Sequence, residues 1–220
     1  MLEHVTKTYP VRGGGRREVL RDVTITLPHG RNIGILGANG AGKSTLLRII
    51  AGTEPPDSGR VRRACRVSFP LGFTGTFNSG LSGRENATFL ARVYGADPRR
   101  VLDFIHDFAE LGRYLDMPVE TYSAGMMARL AFGVTLAIDF DIYLVDEITE
   151  VGDARFRAKS ARAFRDRLSR SSIILVSHSS TTIRSLCDCS AILWDAELYP
   201  FETVSEGMKS DAELMGVADA

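Results

Sequence analysis

An eight-residue segment, Gly37–Ser44, limits what this chain can fold into more than any other part of its sequence. It reads Gly-Ala-Asn-Gly-Ala-Gly-Lys-Ser and matches the phosphate-binding pattern G-x-x-x-x-G-K-[ST] at every position. The apolar run 32–36 before it predicts a strand, and the segment from about 43 to 51 predicts a helix. A chance glycine turn is the alternative, but it would not need this strand–loop–helix context. The segment therefore predicts an α/β fold in which the loop holds a nucleoside triphosphate.

The residue types in this loop have separate physical roles. Glycines let backbone N–H groups approach a phosphate closely, and the helix that follows points its N-terminus at the anion. Lys43 is expected to reach the β- and γ-phosphates, Ser44 to offer a hydroxyl to Mg²⁺, and Thr45 to add a further hydroxyl near the phosphates. The expected nucleotide-binding residues of the loop are Gly37, Asn39, Gly40, Gly42, Lys43, Ser44 and Thr45.

A second apolar run, 142–145, ends in two adjacent carboxylates, Asp146 and Glu147. Two carboxylates at the end of a buried strand are costly unless they hold a metal or activate a water. With the phosphate-binding loop upstream, Asp146 is interpreted as a Mg²⁺ ligand beside Ser44, and Glu147 as the base that polarises the attacking water. An acidic pair that caps the next turn is the alternative. The cofactors expected from these residues are ATP and Mg²⁺.

The order of predicted elements indicates one α/β domain with a largely parallel sheet and a helical insert. Short extended runs and strand–helix alternation fill 1–71 and 140–195, whereas 72–139 is mainly helical. The short stretch 196–220 is interpreted as a tail. The helix predicted at 154–169 is rich in arginine, which indicates a solvated face or, as the alternative, contact with an anionic lipid or an acidic partner.

Composition argues against several classes of function. Lys and Arg total 27, as do Asp and Glu, and the resulting zero formal charge argues against bulk electrostatic binding to nucleic acid. No apolar run approaches the length of about 20 residues that a membrane-spanning helix needs, and the N-terminus has no signal-peptide core. Cys65, Cys187 and Cys189 fit no zinc spacing and are interpreted as reduced thiols of a cytosolic protein. Any membrane role is therefore expected to come through a partner.

The order and spacing of these motifs, from Tyr9 to Trp194, resemble the nucleotide-binding subunits of ABC transporters. The resemblance implies a P-loop ATPase fold in which residues 1–220 form a single domain. That domain would comprise a RecA-like core, an N-terminal antiparallel β part and a helical subdomain. It also implies a homodimer with ATP at its interface and a separate polytopic membrane permease as partner. The expected location is peripheral, on the cytoplasmic face of the bacterial inner membrane.

The resemblance assigns roles to further residues. Tyr9 stands where the family has an aromatic that stacks on adenine, with a packing tyrosine as the alternative. Ser123 and Gly125 fall in the signature segment, which in this family binds the γ-phosphate of ATP held by the other subunit. Asp153 matches an acidic residue that acts across the dimer. His178 matches the switch histidine that contacts the γ-phosphate, and it is grouped with the proposed base as catalytic.

The sequence also departs from the family pattern. The usual signature LSGGQ is replaced by Tyr-Ser-Ala-Gly-Met, so that Ala124 takes the place of the first glycine and Met126 that of the glutamine. Ile148 stands where a proline usually follows the catalytic glutamate. The loop that usually carries a Mg²⁺-ligating glutamine has none, and spacing places that position near Phe73. Thr74 or a solvent water could substitute for it.

These departures are similar to those of one subfamily. The segments SFPLGFTG, YSAGMMARLAFG and VDEITEVGDARF resemble the ATPase subunits that export capsular polysaccharide in Gram-negative bacteria. The expected function is ATP hydrolysis that drives such export through a separate permease. The alternatives are the ATPase of an O-antigen or teichoic-acid type exporter, a soluble ABC ATPase acting on ribosomes or DNA, and a nucleotide-gated assembly protein with little turnover. Many O-antigen ATPases append a carbohydrate-binding domain, for which the stretch after Trp194 is too short.

Overall fold

The structure is a computed structural model, and it describes residues 1–11, 13–146, 153–177 and 179–216. Among these residues, no helix combines the length and the apolar character needed to cross a membrane. The described residues group into two compact units. The first contains Met1–Pro70 and the described parts of Ile142–Ile148 and Ser172–Ala220, and the second contains Leu71–Asp141 and the described part of Thr149–Ser171.

The strands and helices of the described residues have the following bounds along the chain. The strands are β1 (Leu2–Pro10), β2 (Arg16–Ile25), β3 (Ile33–Leu36), β4 (Ser58–Val61), β5 (Val67–Pro70), β6 (Ile142–Asp146), β7 (Ser172–Val176), β8 (Cys189–Trp194) and β9 (Glu197–Phe201). The α-helices are α1 (Lys43–Ala51), α2 (Gly83–Val93), α3 (Pro98–Ala109), α4 (Ala124–Ala137), α5 (Ala154–Leu168), α6 (Ser180–Leu186) and α7 (Val204–Leu214). Two short 3₁₀ helices span Gly112–Asp116 and Val119–Thr121.

The first unit combines two sheets around one apolar core. In its described residues, a six-stranded sheet has the order β5-β6-β7-β3-β8-β9, and a three-stranded antiparallel sheet has the order β2-β1-β4. The neighbouring strands of the larger sheet pair in parallel, except for β9, which pairs antiparallel with β8. Leu20, Ile35, Leu46 and Leu144 are fully buried in one cluster that joins both sheets to α1. The predicted α/β fold with a mainly parallel sheet and an antiparallel β part is confirmed.

The parallel sheet determines where the polar loops meet. β3 lies between β7 and β8, and β6 lies on the other side of β7. Because parallel strands end at the same edge of a sheet, the loop after β3 and the last residue of β6 emerge at one edge, with only β7 between them. The register supports this placement, since Ile35 and Asp146 both pair with Val176. The six-stranded sheet therefore sets Asp146 close to the phosphate-binding loop.

The second unit is helical and has an aromatic core. The ring of Phe108 stacks on that of Phe132 at 6.2 Å and meets that of Phe156 edge-on at 5.4 Å. The guanidinium of Arg129 lies 4.6 Å from the centre of the Phe156 ring. These contacts tie α5 to α3 and α4, so α5 groups with the helical insert. The sequence-based division differs, because it places only 72–139 in the insert.

The C-terminal stretch contributes to the larger sheet of the first unit. β9 pairs with β8 over its whole length, from Glu197 opposite Trp194 to Phe201 opposite Ser190. α7 follows, and the hydroxyl of Ser190 donates to the carbonyl of Thr203 at 3.1 Å. The described part of the predicted tail is thus a strand and a helix that pack on the sheet. A short exposed strand containing a proline gives little sequence signal, which is why the pattern did not predict it.

Candidate nucleotide-binding site

The glycines of the phosphate-binding loop are required by the strands that surround it. Gly42 has φ +111° and precedes α1, and a Cβ atom there would lie 2.3 Å from Cγ1 of Val19 on β2. Gly37 has φ +129°, and its Cβ would lie 2.4 Å from the carbonyl oxygen of Leu193 on β8. Positive φ and these approaches together exclude larger residues. The loop is therefore held tightly by the core of the first unit.

Lys43 is the buried cation of the loop. Its side chain begins in the first turn of α1, and the residue is only 6% exposed. The ammonium donates to the carbonyl oxygens of Gly37 at 2.5 Å and Ala38 at 2.9 Å. The loop's own carbonyl groups thus orient the charge beside the backbone N–H groups that the pattern assigns to phosphate.

A pocket of about 660 Å³ opens over this loop. It brings together most of the residues that the sequence assigned to nucleotide and metal binding in this unit. From the loop and α1 the pocket is lined by Asn39, Gly40, Gly42, Lys43, Ser44 and Thr45. Tyr9 from β1 and Asp146 from β6 also line the pocket. Gly37 does not line it, but its carbonyl accepts a hydrogen bond from Lys43.

Ser44 and Asp146 form the part of this pocket that suits a cation. One offers a hydroxyl oxygen and the other a carboxylate oxygen, and both line the same cavity. Mg²⁺ usually takes one or two protein oxygen ligands and fills its other positions with water and phosphate oxygens. The described residues contain no group of three or more His, Cys, Asp or Glu side chains placed to hold a metal. The two residues therefore fit Mg²⁺ bound together with a phosphate.

Two features of the pocket were missed by the sequence analysis. The guanidinium of Arg17, on β2 opposite Tyr9, donates to the carbonyl of Gly40 at 2.7 Å and lines the pocket. The hydroxyl of Tyr9 is bonded to Glu54 and lies 3.3 Å from Oγ1 of Thr45. No motif marks Arg17 or Glu54. The pairing of β2 with β1 could have placed Arg17 opposite Tyr9, but it gives no signal for Glu54.

Three sequence assignments lie outside the described residues. They are the proposed base Glu147, the substituted position Ile148 and the proposed switch residue His178. Their roles stay predictions from the sequence. Asp146 and Ser177, which precede two of them, belong to the first unit and line its pockets.

Ser123 and Gly125 belong to the second unit, at the start of α4. Ser123 caps the helix, since its Oγ accepts from the N–H of Met126 at 3.3 Å. Ser123, Ala124 and Gly125 are all exposed. A Cβ atom built on Gly125 would meet only Oγ of Ser123, at 4.0 Å, among the described residues. The signature segment, residues 122–126, thus presents a small polar turn to its surroundings.

Asp153 caps α5 in the same unit. Its carboxylate accepts from the N–H of Phe156 at 2.8 Å and from the guanidinium of Arg129 at 3.1 Å. The Phe156 N–H, followed by the charge of Arg129, lowers the pKa of Asp153 below its ordinary value despite some desolvation. Asp153 is therefore ionised at neutral pH and held at a helix N-terminus.

The loop near Phe73, in which the family usually has a Mg²⁺-ligating glutamine, also belongs to the second unit. Phe73 is half-buried and Thr74 is exposed. The Thr74 carbonyl accepts from the N–H of Phe77 at 3.1 Å, which closes a turn. Substitution of the glutamine by Thr74 or by water stays a prediction.

Comparison with known proteins agrees with this geometry. A family model described as ABC transporter matches residues 20–150, a range that contains both the phosphate-binding loop and the carboxylate pair. The polysialic acid transport ATP-binding protein KpsT of Escherichia coli is 43% identical over 210 residues, covering 94% of this chain and 93% of that protein. The capsule polysaccharide export ATP-binding protein CtrD of Neisseria meningitidis serogroup B is 45% identical over 205 residues, covering 93% and 94%.

A solved structure has the same fold. It is the dimeric structure of a post-hydrolysis state of the ATP-binding cassette MJ0796 bound to ADP and Pi. Its TM-score is 0.70 at 23% identity, with 92% of this chain and 97% of that chain covered. At this identity the likeness shows the shared fold.

Proposed function

Because this chain belongs to the ABC transporter family, we propose that it is the ATP-hydrolysing subunit of an exporter of capsular polysaccharide. The observation that carries the ATPase part is that Lys43, Ser44 and Asp146 line one pocket. The polysaccharide part is supported by two capsule-export relatives that match over nearly the whole of both chains. In this proposal the chain is peripheral, on the cytoplasmic face of the inner membrane, and contacts the membrane through a separate permease.

The first unit would bind the phosphates of ATP. Its loop N–H groups and the N-terminus of α1 attract the anion, and the buried ammonium of Lys43 adds a full positive charge. Ser44 and Asp146 would hold Mg²⁺, which neutralises charge on the β- and γ-phosphates when it is bound. Tyr9 would receive the adenine ring by stacking at the pocket's rim.

Hydrolysis would depend on two residues assigned from the sequence. The carboxylate of Glu147 would accept a hydrogen bond from the attacking water and orient it towards the γ-phosphorus. As the water oxygen bonds to phosphorus and gives up a proton to Glu147, the phosphorus bond to the bridging β-γ oxygen breaks, and ADP and phosphate result. His178 would hold the γ-phosphate in line for this attack.

The signature segment would complete the site of a second copy. Ser123 and Gly125 are exposed. Among the described residues, a Cβ atom built on Gly125 would meet only Oγ of Ser123. In a homodimer of this family each signature segment would contact the γ-phosphate bound by the partner, so ATP would close the dimer and hydrolysis would open it. That cycle would drive the permease.

Replacement of Glu147 by Gln tests the ATPase part. The amide keeps the shape but loses the basic oxygen, so we expect the hydrolysis rate to fall by about 100-fold or more while ATP binding persists. Glu150→Gln, a nearby change of the same kind, is the matched control and should retain activity. Steady-state phosphate release and equilibrium ATP binding are the measurements. Native turnover in Glu147→Gln would show that another group acts as the base.

Complementation tests the substrate part. The chain would be expressed in two strains, each of which keeps its own export permease. One lacks its capsule-export ATPase, and the other lacks its O-antigen-export ATPase. The proposal predicts that surface capsule returns in the first strain only, and that Lys43→Ala abolishes the effect. Restoration of O-antigen alone would contradict capsule export and support the alternative exporter class.

A further inference from the structure

We infer that Glu54 is a positioning residue, which holds the hydroxyl of Tyr9 and thereby fixes the ring that receives adenine. The inference rests on the proposed nucleotide-binding function and adds to it a residue outside every motif of the sequence. Glu54 lies in the loop between α1 and β4. It joins a group that we term the Tyr9 cluster, which consists of Lys7, Tyr9, Thr45, Arg48 and Glu54.

Tyr9 is anchored at the far end of its side chain. Its O–H donates to Oε1 of Glu54, and the hydroxyl oxygen of Tyr9 also lies 3.3 Å from Oγ1 of Thr45. The two partners come from different places, a loop and the first turn of α1. Fixing the hydroxyl from two sides disfavours the rotamers that would swing the ring out of the pocket. The ring is therefore oriented before any base arrives.

Two cations hold Glu54 in place. Nζ of Lys7 lies 3.2 Å from Oε1, and Nε of Arg48 donates to Oε2 at 2.9 Å. The side chains of Lys7 and Glu54 are only 11% and 18% exposed. Burial favours the neutral acid, but the bonds from Tyr9, Arg48 and Lys7 outweigh it and lower the pKa of Glu54. Glu54 is thus an ionised acceptor at neutral pH, which makes its bond to the phenol a charge-assisted one.

The Tyr9 cluster also ties the ring to the phosphate-binding helix. Arg48, on α1, donates to Oγ1 of Thr45 at 3.1 Å. The backbone N–H of Glu54 donates to the carbonyl of Arg48 at 3.2 Å, which folds the loop back onto the helix end. The Lys7 ammonium lies 5.6 Å from the centre of the Tyr9 ring and supports it from the strand. One cluster therefore sets the position of the base-binding ring relative to the helix that holds the phosphates.

This arrangement makes a specific demand on ligand preference. The Tyr9 cluster acts on the ring, so its loss should weaken ligands that carry a base and spare ligands that carry only phosphates. Pre-organised groups contribute to affinity mainly because their ordering cost is already met. Magnesium tripolyphosphate, which lacks adenosine, is the matching probe.

The experiment measures equilibrium dissociation constants of magnesium ATP and magnesium tripolyphosphate for the full chain, four single-residue variants and one double variant. Tyr9→Phe keeps the ring and removes only the anchored hydroxyl, and Glu54→Ala removes the acceptor. Loss of one charge-assisted hydrogen bond predicts that each raises the ATP constant by about fivefold to tenfold, with under about twofold change for tripolyphosphate. Glu54→Gln, which keeps an acceptor oxygen, should recover part of the loss. Asp57→Asn removes a partner of Lys7 that does not touch Tyr9, and should leave both constants unchanged.

The double variant Tyr9→Phe/Glu54→Ala should be no weaker for ATP than either single variant, because both changes remove the same bond. Additive losses, or an equal loss for tripolyphosphate, would overturn the inference and leave Glu54 as a support of the unit. If Glu54→Ala does not fold, native ATP affinity in Tyr9→Phe would still overturn it. A wild-type chain that binds no ATP would instead refute the proposed function itself.

Discussion

Two glycines, one in each compact unit, stand in opposite relations to the fold around them. At Gly42 a Cβ atom would lie 2.3 Å from Val19 Cγ1 and the backbone has φ +111°. At Gly125 a Cβ atom would meet nothing nearer than 4.0 Å among the described residues, and no positive φ requires glycine there. The chain's own packing explains the first glycine and leaves the second unexplained.

The two glycines belong to different kinds of site. The phosphate-binding loop is shaped by contacts within its own chain, whereas the signature segment is left open to another molecule. The phosphate-binding loop is fixed by β2, β8 and α1, and its lysine is already bonded within the loop. Ser123, Ala124 and Gly125 of the signature segment are exposed, and Gly125 lies in the first turn of a helix, where alanine would be the better helix former. A small residue at an exposed turn is best explained by something that approaches it, which in the proposed dimer is the partner's ATP.

Replacement of Gly42 by Ala should give the largest effect. The added methyl group meets Val19 and the backbone must leave its positive φ, so we expect a loss of about 2–4 kcal/mol in the free energy of unfolding. ATP affinity should fall by about 100-fold or more, because the loop moves. Val19→Ala removes the nearer contact and should recover part of the stability. Chemical denaturation and ATP binding are the measurements, and a stable, ATP-binding Gly42→Ala would break the comparison.

Replacement of Gly125 by Ala should separate stability from activity. Alanine favours the helix, so the free energy of unfolding should stay equal or rise by up to about 1 kcal/mol. ATP binding by the single chain should not change, whereas hydrolysis should fall by about tenfold or more if the partner's γ-phosphate needs the space.

Gly133→Ala is the control within the same helix. Its Cβ would lie 3.4 Å from Cδ1 of Phe108, so any effect should come through packing. Unchanged hydrolysis in Gly125→Ala, or an equal loss in Gly133→Ala, would show that Gly125 is not needed for contact with the partner's ATP.

Lowering the pH should destabilise the first unit through protonation of Asp57, an effect smaller than those of the two glycine substitutions. The hydroxyl and N–H of Thr8, followed by Lys7, outweigh desolvation and hold the pKa of Asp57 at about 2, below its usual 3.8. A lowered folded-state pKa contributes stability that is present above the unfolded value and lost as pH falls from about 4 through about 2. Asp57→Asn should therefore flatten the decline of the unfolding free energy between about pH 4 and pH 2. An unchanged slope would show that Asp57 does not contribute to the pH sensitivity of this region.

The sequence predicted the parts of the site that depend on local patterns. The phosphate-binding loop and the carboxylate at the end of β6 are each contained in one short segment, and the parallel sheet brings them together at one edge. The Tyr9 cluster could not be predicted, because Tyr9 and Glu54 are distant in sequence and meet only after β1 and α1 have packed.

Element boundaries were less predictable for physical reasons. β2 spans Arg16–Ile25, but only its end, from Val23 onward, has the alternating apolar pattern of a strand. It is an edge strand of the smaller sheet, and an exposed edge tolerates charged residues that weaken the pattern. α5 groups with the helical unit because Phe156 and Arg129 stack there, a contact that periodicity alone cannot reveal.

In the proposed dimer, the nucleotide pocket lies in one copy and the signature segment that completes it lies in the other. The hydrolysis rate of an equimolar mixture of Lys43→Ala and Gly125→Asp chains tests this arrangement. Each variant alone is expected to be inactive. In random dimers, half pair the two variants and contain one intact site of two, so the mixture should recover about a quarter of native activity. Mixing Lys43→Ala with a Lys43→Ala/Gly125→Asp double variant should recover none, because every phosphate-binding loop then lacks its lysine. A mixture that stays as inactive as its separate components would contradict the account.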